Sequence, residues 1–133
     1  MANILVVDDD RLFAQLMMKA LIKAGHDAVV AEDGIEAMAA LAQRQFTCVV
    51  CDLIMPNQEG LETIKLMRAA CPNLAIVAIS GGMASGETRG LNILDVAVDF
   101  GANAALRKPF QLSALVSTVN EVLRDTDGKR LSA

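Results

Sequence analysis

Acidic, hydroxyl and amino side chains stand directly after short apolar segments of this 133-residue chain. In chain order they are Asp8, Asp9, Asp10, Asp52, Ser80 and Lys108. Neighbouring carboxylates are unfavourable, because two unit charges 4 Å apart repel by roughly 4 kcal/mol at an effective dielectric constant of about 20. Such a group therefore takes up protons or holds a cation. A site with oxygen ligands, few of them from the protein, suits Mg²⁺, which keeps several waters and leaves room for phosphate oxygens.

Phosphoryl transfer is the chemistry that these side chains favour. Asp52 is a candidate nucleophile, whose attack on phosphorus gives an aspartyl phosphate. Lys108 offers a compact positive charge, and Ser80 a hydrogen bond, to the phosphoryl oxygens. The transferring group needs charge neutralisation and in-line positioning more than acid–base help. Asp10 is interpreted differently, as a carboxylate at a helix N-terminus, where the helix dipole favours negative charge.

Short apolar segments that alternate with helix-period segments predict the framework that positions these groups. The predicted strands are Asn3–Asp8, Asp27–Ala31, Cys48–Cys51, Leu74–Ile79 and Ala104–Arg107. The predicted helices are Arg11–Ala24, Ile35–Gln45, Leu61–Ala70, Gly90–Phe100 and Gln111–Asp125. The strands mostly lack polar alternation, which predicts a parallel sheet with helices on both faces. The carboxyl ends of parallel strands share one edge, so we expect the chemical groups to meet there.

Composition predicts one domain over residues 1–125, followed by a polar, frayed tail at 126–133. With 53% hydrophobic residues, the chain should bury a core without metals or disulfides. The net charge of −4 argues against a nucleic-acid binder, which needs a clustered basic surface. No apolar stretch approaches the roughly 18 residues of a membrane span, and no basic segment precedes the first apolar run as in a signal peptide. We therefore expect a soluble, cytoplasmic protein.

The pair Cys48 and Cys51 forms a C-x-x-C pattern, which elsewhere indicates redox chemistry or a zinc site. On a buried strand, however, side chains three residues apart point to opposite faces. We therefore expect two small buried hydrophobes. His26 follows Gly25 in a predicted turn and is interpreted as a surface residue rather than a ligand.

Four segments resemble the signature motifs of receiver domains, the response-regulator modules of two-component signalling. They are Val7-Asp8-Asp9, the segment from Val50 to Pro56, Ile79-Ser80-Gly81 and Lys108-Pro109-Phe110. The resemblance runs from Asn3 to about Asp125, with the motifs in order and each at a predicted strand end. It implies a stand-alone receiver with a flavodoxin-like doubly wound (βα)5 fold, whose five-stranded parallel sheet has the order 2-1-3-4-5.

The resemblance also implies a role for each matching side chain. Asp52 would be the phosphoacceptor, and Ser80 would be the switch hydroxyl. Lys108 would pair with the phosphoryl group and precede a cis Lys108–Pro109 bond, which X-Pro bonds adopt at modest cost. The protein would assist its own phosphorylation and dephosphorylation without being an enzyme that turns over a substrate.

A Mg²⁺ ion and protein partners are implied in the same way. The metal ligands would be the carboxylates of Asp9 and Asp52, a water held by Asp8, and the backbone carbonyl of Ile54. The phosphoryl donor would be a sensor histidine kinase or a histidine phosphotransfer protein. The signal would pass to a downstream protein by conformational change, with neither nucleic acid nor membrane as a partner.

Two departures from the family pattern bear on that signal. Many receivers carry Tyr or Phe three residues before the lysine, and Ala105 stands there instead, so an aromatic rotamer switch cannot operate. The separation between Ser80 and Lys108 also exceeds that of many short receivers, and the excess falls in the glycine-rich segment 81–90. We expect this segment to order on phosphorylation. The apolar surface of the predicted helix at 90–100 then either contacts the partner or is covered by the same segment.

Three alternatives stay open from sequence. The chain would be the N-terminal receiver fragment of a longer regulator if its gene continues into an output domain. A phosphatase of the haloacid dehalogenase type also uses an aspartyl phosphate, but it needs a second carboxylate where Ile54 stands. An FMN carrier shares the predicted architecture, but it needs a hydroxyl- and glycine-rich phosphate loop after the first strand. The acidic segment 8–10 would repel phosphate there.

Overall fold

The computed structural model describes residues 2–53, 59–81 and 93–132. Its strands are β1 (Asn3–Val7), β2 (Asp27–Ala31), β3 (Cys48–Asp52), β4 (Ala75–Ser80) and β5 (Ala104–Arg107). Its helices are α1 (Arg11–Lys23), α2 (Gly34–Gln43), α3 (Glu59–Ala70), α4 (Ile93–Phe100) and α5 (Leu112–Ser132). Among the described residues, no helix combines the length and the apolar character needed to cross a bilayer.

The five strands form one parallel sheet in the order β2-β1-β3-β4-β5, which confirms the predicted doubly wound fold. Near the carboxyl ends, the paired residues are Val7 with Cys51, Asp52 with Ile79, and Ser80 with Arg107. Because this register is continuous, β1, β3, β4 and β5 all end at one edge. That edge carries the side chains on which the sequence argument depends.

The side chains of β3 alternate between two apolar layers. The layer that contains Cys51 is covered by α2, α3 and α4, which contribute Ala37, Ile64, Met67 and Ala97. The layer that contains Cys48 is covered by α1 and α5, which contribute Ala14, Met17, Leu21, Leu115, Val119 and Val122. Both cysteines are buried as free thiols on opposite faces, as predicted. All five residues of β3 are buried, because helices cover the sheet on both sides.

Aspartate side chains begin two of the helices. Asp10 Oδ1 accepts a hydrogen bond from the Phe13 N–H at 3.1 Å at the start of α1. Asp33 Oδ1 accepts one from the Glu36 N–H at 2.8 Å at the start of α2. Each cap satisfies a backbone donor that a helix leaves unpaired, and contributes about 1 kcal/mol. The interpretation of Asp10 as a helix N-terminal carboxylate is confirmed.

The last helix is longer than predicted. It continues to Ser132, so the prediction of a frayed tail after Asp125 is wrong for residues 126–132. The Thr126 hydroxyl donates a hydrogen bond to the Val122 carbonyl at 2.8 Å, one helical turn earlier. Helical hydrogen bonds form between nearby residues whatever their polarity. A polar composition therefore does not distinguish a helix from a frayed tail. The first part of the predicted helix at 90–100, and the segment 82–90, lie outside the described residues.

His26 is half-buried and hydrogen-bonded, which differs from the surface residue expected. Its Nδ1 accepts a hydrogen bond from the Ala2 N–H at 3.2 Å. Its Nε2 lies 2.8 Å from Asn120 Oδ1, so Nε2 carries the proton and donates it. The histidine therefore joins the start of the chain to α5, a contact between residues far apart in sequence.

Candidate functional site

The sheet edge brings together three carboxylates. Asp8 follows β1 and is fully buried, and Asp52 ends β3 with 4% of its surface exposed. Asp9 is exposed beside them. One carboxylate oxygen from each of these residues lies within 4.8 Å of the others. The placement follows from the register of β1 with β3, as the argument from parallel strand ends expects.

The two oxygens of Asp8 have different surroundings. Oδ1 accepts a hydrogen bond from the Asp10 N–H at 2.9 Å. Oδ2 is buried and has no hydrogen-bond partner among the described residues. The pKa of Asp8 is raised to about 6, chiefly by burial and also by the nearby Asp52 carboxylate, against the opposing effects of the Asp10 N–H and the Lys108 charge. An unpaired buried carboxylate oxygen next to a second carboxylate is a site that a cation or a proton would stabilise.

Lys108 follows β5 and carries the cation of the site. Its Nζ lies 3.2 Å from Asp52 Oδ2 and 3.8 Å from Asp8 Oδ2, with a quarter of the side chain exposed. Its backbone N–H donates to the Ser80 carbonyl at 2.7 Å, which extends the pairing of β5 with β4 by one residue. The Lys108–Pro109 peptide bond is cis, as predicted. The ammonium therefore lies between the two buried carboxylates.

Ser80 places its hydroxyl at the end of β4, with 2% of the residue exposed. Its Oγ donates a hydrogen bond to the adjacent Gly81 carbonyl at 3.3 Å. This is a weak, local bond, so a better acceptor at the sheet edge would compete for the hydroxyl. Ile54, the remaining residue of the predicted set, lies outside the described residues.

Gly60 is a residue of the site that the sequence argument missed. It belongs to the first turn of α3, which begins at Glu59, before the predicted start at Leu61. A Cβ atom at Gly60 would lie 2.4 Å from the Leu53 Cα and 2.8 Å from the Asp52 carbonyl oxygen. Only glycine allows α3 to approach the end of β3 this closely. The backbone that carries the Asp52 carboxylate therefore packs directly against a helix.

Phe13 is a second residue that the sequence argument did not assign to the site. The Lys108 Nζ lies 4.6 Å from the centre of the Phe13 ring, a cation–π contact. The ring also packs edge-on against Phe110, with centres 5.7 Å apart and planes at 63°. A contact between α1 and the residue after β5 depends on the tertiary fold, and no local pattern predicts it.

Ala105 lies on β5, paired with Ala78 of β4. It is partly buried against the apolar layer under α4. Because its side chain is a methyl group, no aromatic ring can change rotamer at this position.

The donor set suits a hard divalent cation. Three carboxylates converge, and one buried oxygen of Asp8 lacks a hydrogen bond among the described residues. All of these donors are oxygens, and the exposed Asp9 leaves one side open to water. Mg²⁺ prefers such oxygen ligands and keeps waters of its own. The residues present therefore fit the implied metal.

Comparison with known sequences identifies relatives across most of the chain. Residues 4–120 match the family model described as the response regulator receiver domain. Over 125 residues the chain is 34% identical to response regulator MprA of Mycobacterium sp. (strain KMS), covering 93% of this chain and 51% of that protein. Response regulator MprA of Mycobacterium avium (strain 104) is 33% identical, with 52% of its length covered. The chain thus spans about half the length of the curated relatives that it matches.

Solved structures share the fold. The receiver domain of NtrX from Brucella abortus is 29% identical with a TM-score of 0.81, over 91% of this chain and 98% of that domain. The receiver domain of the Francisella response regulator 1452 is 26% identical with a TM-score of 0.80, over 95% of this chain and 99% of that domain. Sheet order, strand-end carboxylates and the match over residues 4–120 agree: the chain belongs to the response regulator receiver domain family.

Proposed function

We propose that this receiver accepts a phosphoryl group on Asp52 from a phosphohistidine of a sensor histidine kinase or a histidine phosphotransfer protein. The observation that carries the proposal is the 3.2 Å contact between Asp52 and the Lys108 ammonium, at an edge that also holds Asp8 and Asp9. A nucleophile, a fixed cation and a metal-binding acid pair are the parts that phosphoryl transfer uses. The protein then acts as a signalling phosphoacceptor rather than as an enzyme with a released product.

In the proposed step, a carboxylate oxygen of Asp52 attacks phosphorus and forms a P–O bond while the P–N bond to the donor histidine breaks. The leaving imidazole nitrogen keeps the electron pair and takes a proton from water. Lys108, already beside Asp52, neutralises charge on the phosphoryl oxygens. The Ser80 hydroxyl exchanges its 3.3 Å bond to the Gly81 carbonyl for a shorter one to a phosphoryl oxygen.

The carboxylates of Asp9 and Asp52 would hold Mg²⁺ directly, with Asp8 acting largely through a bound water. The family resemblance adds the backbone carbonyl of Ile54 to this set. When bound, the ion supplies positive charge that offsets the repulsion among the carboxylates and the incoming phosphoryl oxygens. Its fit is supported by the unpaired buried oxygen of Asp8.

The signal is proposed to leave through Ser80, the segment 81–90 and α4 toward a downstream protein. Ala105 supports this route, because it has no aromatic ring to transmit the change along β5. Amide hydrogen exchange with and without beryllofluoride, a phosphoryl mimic, tests it. We expect slower exchange in residues 81–90 with the mimic. Unchanged exchange there would remove the segment from the route.

The test of the phosphoacceptor is intact-protein mass spectrometry after incubation with acetyl phosphate and Mg²⁺. We expect wild type to gain the mass of one phosphoryl group and Asp52→Asn to gain none. Asp27→Asn is the matched control, since Asp27 is an exposed aspartate at the opposite end of the sheet. It should be phosphorylated like wild type. An adduct that persists in Asp52→Asn, or no adduct in wild type, would overturn the proposal.

A further inference from the structure

We propose that Phe13 is a positioning residue for Lys108, and that its ring holds the ammonium at the sheet edge where the phosphoryl group arrives. The expected effect on phosphorylation rests on the proposed function, whereas the contact between Phe13 and Lys108 does not. The Phe13 ring is not assigned a contact with Asp8, Asp52 or the incoming group in this scheme. It acts only through the lysine.

The contact has the geometry of a cation–π interaction. The Lys108 Nζ lies 4.6 Å from the centre of the Phe13 ring, within the roughly 6 Å over which such contacts act. The same nitrogen lies 3.2 Å from Asp52 Oδ2 and 3.8 Å from Asp8 Oδ2. The ring and two carboxylates therefore surround one ammonium.

The position of the Phe13 ring is itself constrained from two directions. The Phe13 N–H donates to Asp10 Oδ1, so the residue occupies the first turn of a capped helix. The ring packs edge-on against Phe110, two residues beyond the lysine that it contacts. Neither the backbone nor the ring can shift without disturbing a second contact.

These contacts connect Asp8, Asp10, Phe13 and Lys108 in a ring. The Asp10 N–H donates to Asp8 Oδ1, Asp10 Oδ1 accepts from the Phe13 N–H, the Phe13 ring contacts Lys108, and Lys108 returns to Asp8. The ring of contacts joins the end of β1, the start of α1 and the segment after β5. It links the N-terminal cap of α1, Asp10, to Lys108, which pairs with Asp52.

A lysine in this place needs such support. Its ammonium is strongly hydrated and stands on a flexible four-carbon stem. A quarter of the Lys108 side chain is exposed, so conformers that point into solvent compete with the one beside Asp52. An aromatic face offers the ammonium an alternative to water on the protein side and raises the population of the productive conformer.

The experiment compares Phe13→Leu, which keeps apolar bulk and removes the ring, with Phe13→Tyr, which keeps a ring. The matched control is Phe46→Leu, because Phe46 also has a cation over its ring, the Arg44 guanidinium at 5.0 Å, and precedes β3 at the other end of the sheet. The first readout is the NMR shift of the ¹³C-labelled Lys108 ε-methylene, assigned by its loss in Lys108→Arg. It reports the ring current directly and requires no phosphorylation.

We expect the upfield ring-current shift of Lys108 in wild type, Phe13→Tyr and Phe46→Leu, and its loss in Phe13→Leu. The rate of phosphorylation by acetyl phosphate at saturating Mg²⁺ should fall by about three- to tenfold in Phe13→Leu alone. Mg²⁺ affinity, followed by titrating the Asp8–Asp10 amide signals, should stay within about twofold of wild type, because the carboxylates are intact.

A Lys108 shift that survives in Phe13→Leu, or that Phe46→Leu removes equally, would overturn the positioning role. A phosphorylation rate unchanged in Phe13→Leu despite the lost shift would also overturn it. If wild type takes no phosphoryl group, the proposed function fails instead, while the Lys108 shift still decides whether Phe13 holds the ammonium.

Discussion

The Asp10 backbone N–H donates to Asp8 Oδ1 at 2.9 Å, so the backbone satisfies one oxygen of a fully buried carboxylate. The other oxygen is left to Asp52 on one strand and Lys108 on another. Burial and the Asp52 charge outweigh the N–H and the lysine, and the pKa of Asp8 rises to about 6. The metal-free site therefore carries a carboxylate that opposes folding at neutral pH.

The first prediction concerns the pH dependence of stability. Between pH 3.8 and about 6, native Asp8 keeps a proton that the unfolded chain has released, so the free energy of unfolding falls as pH rises through this window. Asp8→Asn removes that loss. In EDTA at pH 7.5 we expect it to be about 3 kcal/mol more stable than wild type, and at pH 4 about equal.

Urea unfolding followed by circular dichroism measures this difference, because the chain has no tryptophan. Asp27→Asn, at an exposed site, serves as the control and should differ from wild type by less than about 0.5 kcal/mol at both pH values. An Asp8→Asn variant no more stable than wild type at pH 7.5 would contradict the prediction.

The second prediction concerns Mg²⁺ affinity in Lys108→Met. This change removes a positive charge 3.2 Å from Asp52 and 3.8 Å from Asp8, so these carboxylates should bind Mg²⁺ more tightly. Since the lysine is partly solvated, we expect a gain of about three- to tenfold, together with much slower phosphorylation. NMR titration with Mg²⁺ measures the affinity. Lys65→Met, an exposed change on α3, should leave it unchanged, and weaker binding in Lys108→Met would refute the charge argument.

The third prediction is that Gly60→Ala damages both stability and the site. The new methyl group would meet backbone atoms of Leu53 and Asp52, which cannot rotate away as a side chain can. We expect a loss of about 3 kcal/mol in the free energy of unfolding and a lower rate of Asp52 phosphorylation. Gly81→Ala is the control for stability alone, since no described atom lies within 4 Å of a Cβ there. A stable, fully phosphorylated Gly60→Ala variant would show that α3 can move without cost.

The sequence predicted what depends on local pattern and on the rules of parallel sheets. The parallel sheet and the meeting of Asp8 with Asp52 follow from apolar periodicity and from strand ends that share an edge, whereas the strand order followed from the family resemblance. The Phe13–Lys108 contact and the close approach at Gly60 were not predictable, because they depend on distances between elements. The helical continuation after Asp125 was missed because its polar residues carry no stop signal that separates an exposed helix from a tail.

The fourth prediction separates stability from chemistry at the other end of the sheet. Arg68 donates to the Gly101 carbonyl at 2.7 Å and the Pro72 carbonyl at 2.8 Å, and to Asn103 Oδ1 at 2.8 Å. Arg68→Met should lower the free energy of unfolding by about 1–3 kcal/mol, because the Gly101 and Pro72 carbonyls lose their side-chain donor, whereas Asn103 Oδ1 keeps its bond from the Ile76 N–H. Phosphorylation of the folded fraction should be unchanged. Arg124→Met, on an exposed face of α5, is the control, and equal stability of the two variants would contradict the prediction.

The two halves of the site stand on strands of unequal protection. Asp52 belongs to β3, where every residue is buried and both neighbouring strands are paired, whereas Lys108 follows β5, an edge strand whose residues are only partly covered. Local opening has a lower free-energy cost at such an edge than in the centre of a sheet. Fluctuations of β5 should therefore move the Lys108 ammonium away while the Asp8 and Asp52 carboxylates stay in place. The lifetime of the phosphorylated state would then depend on the local stability of the edge strand β5 rather than on that of the central strand β3.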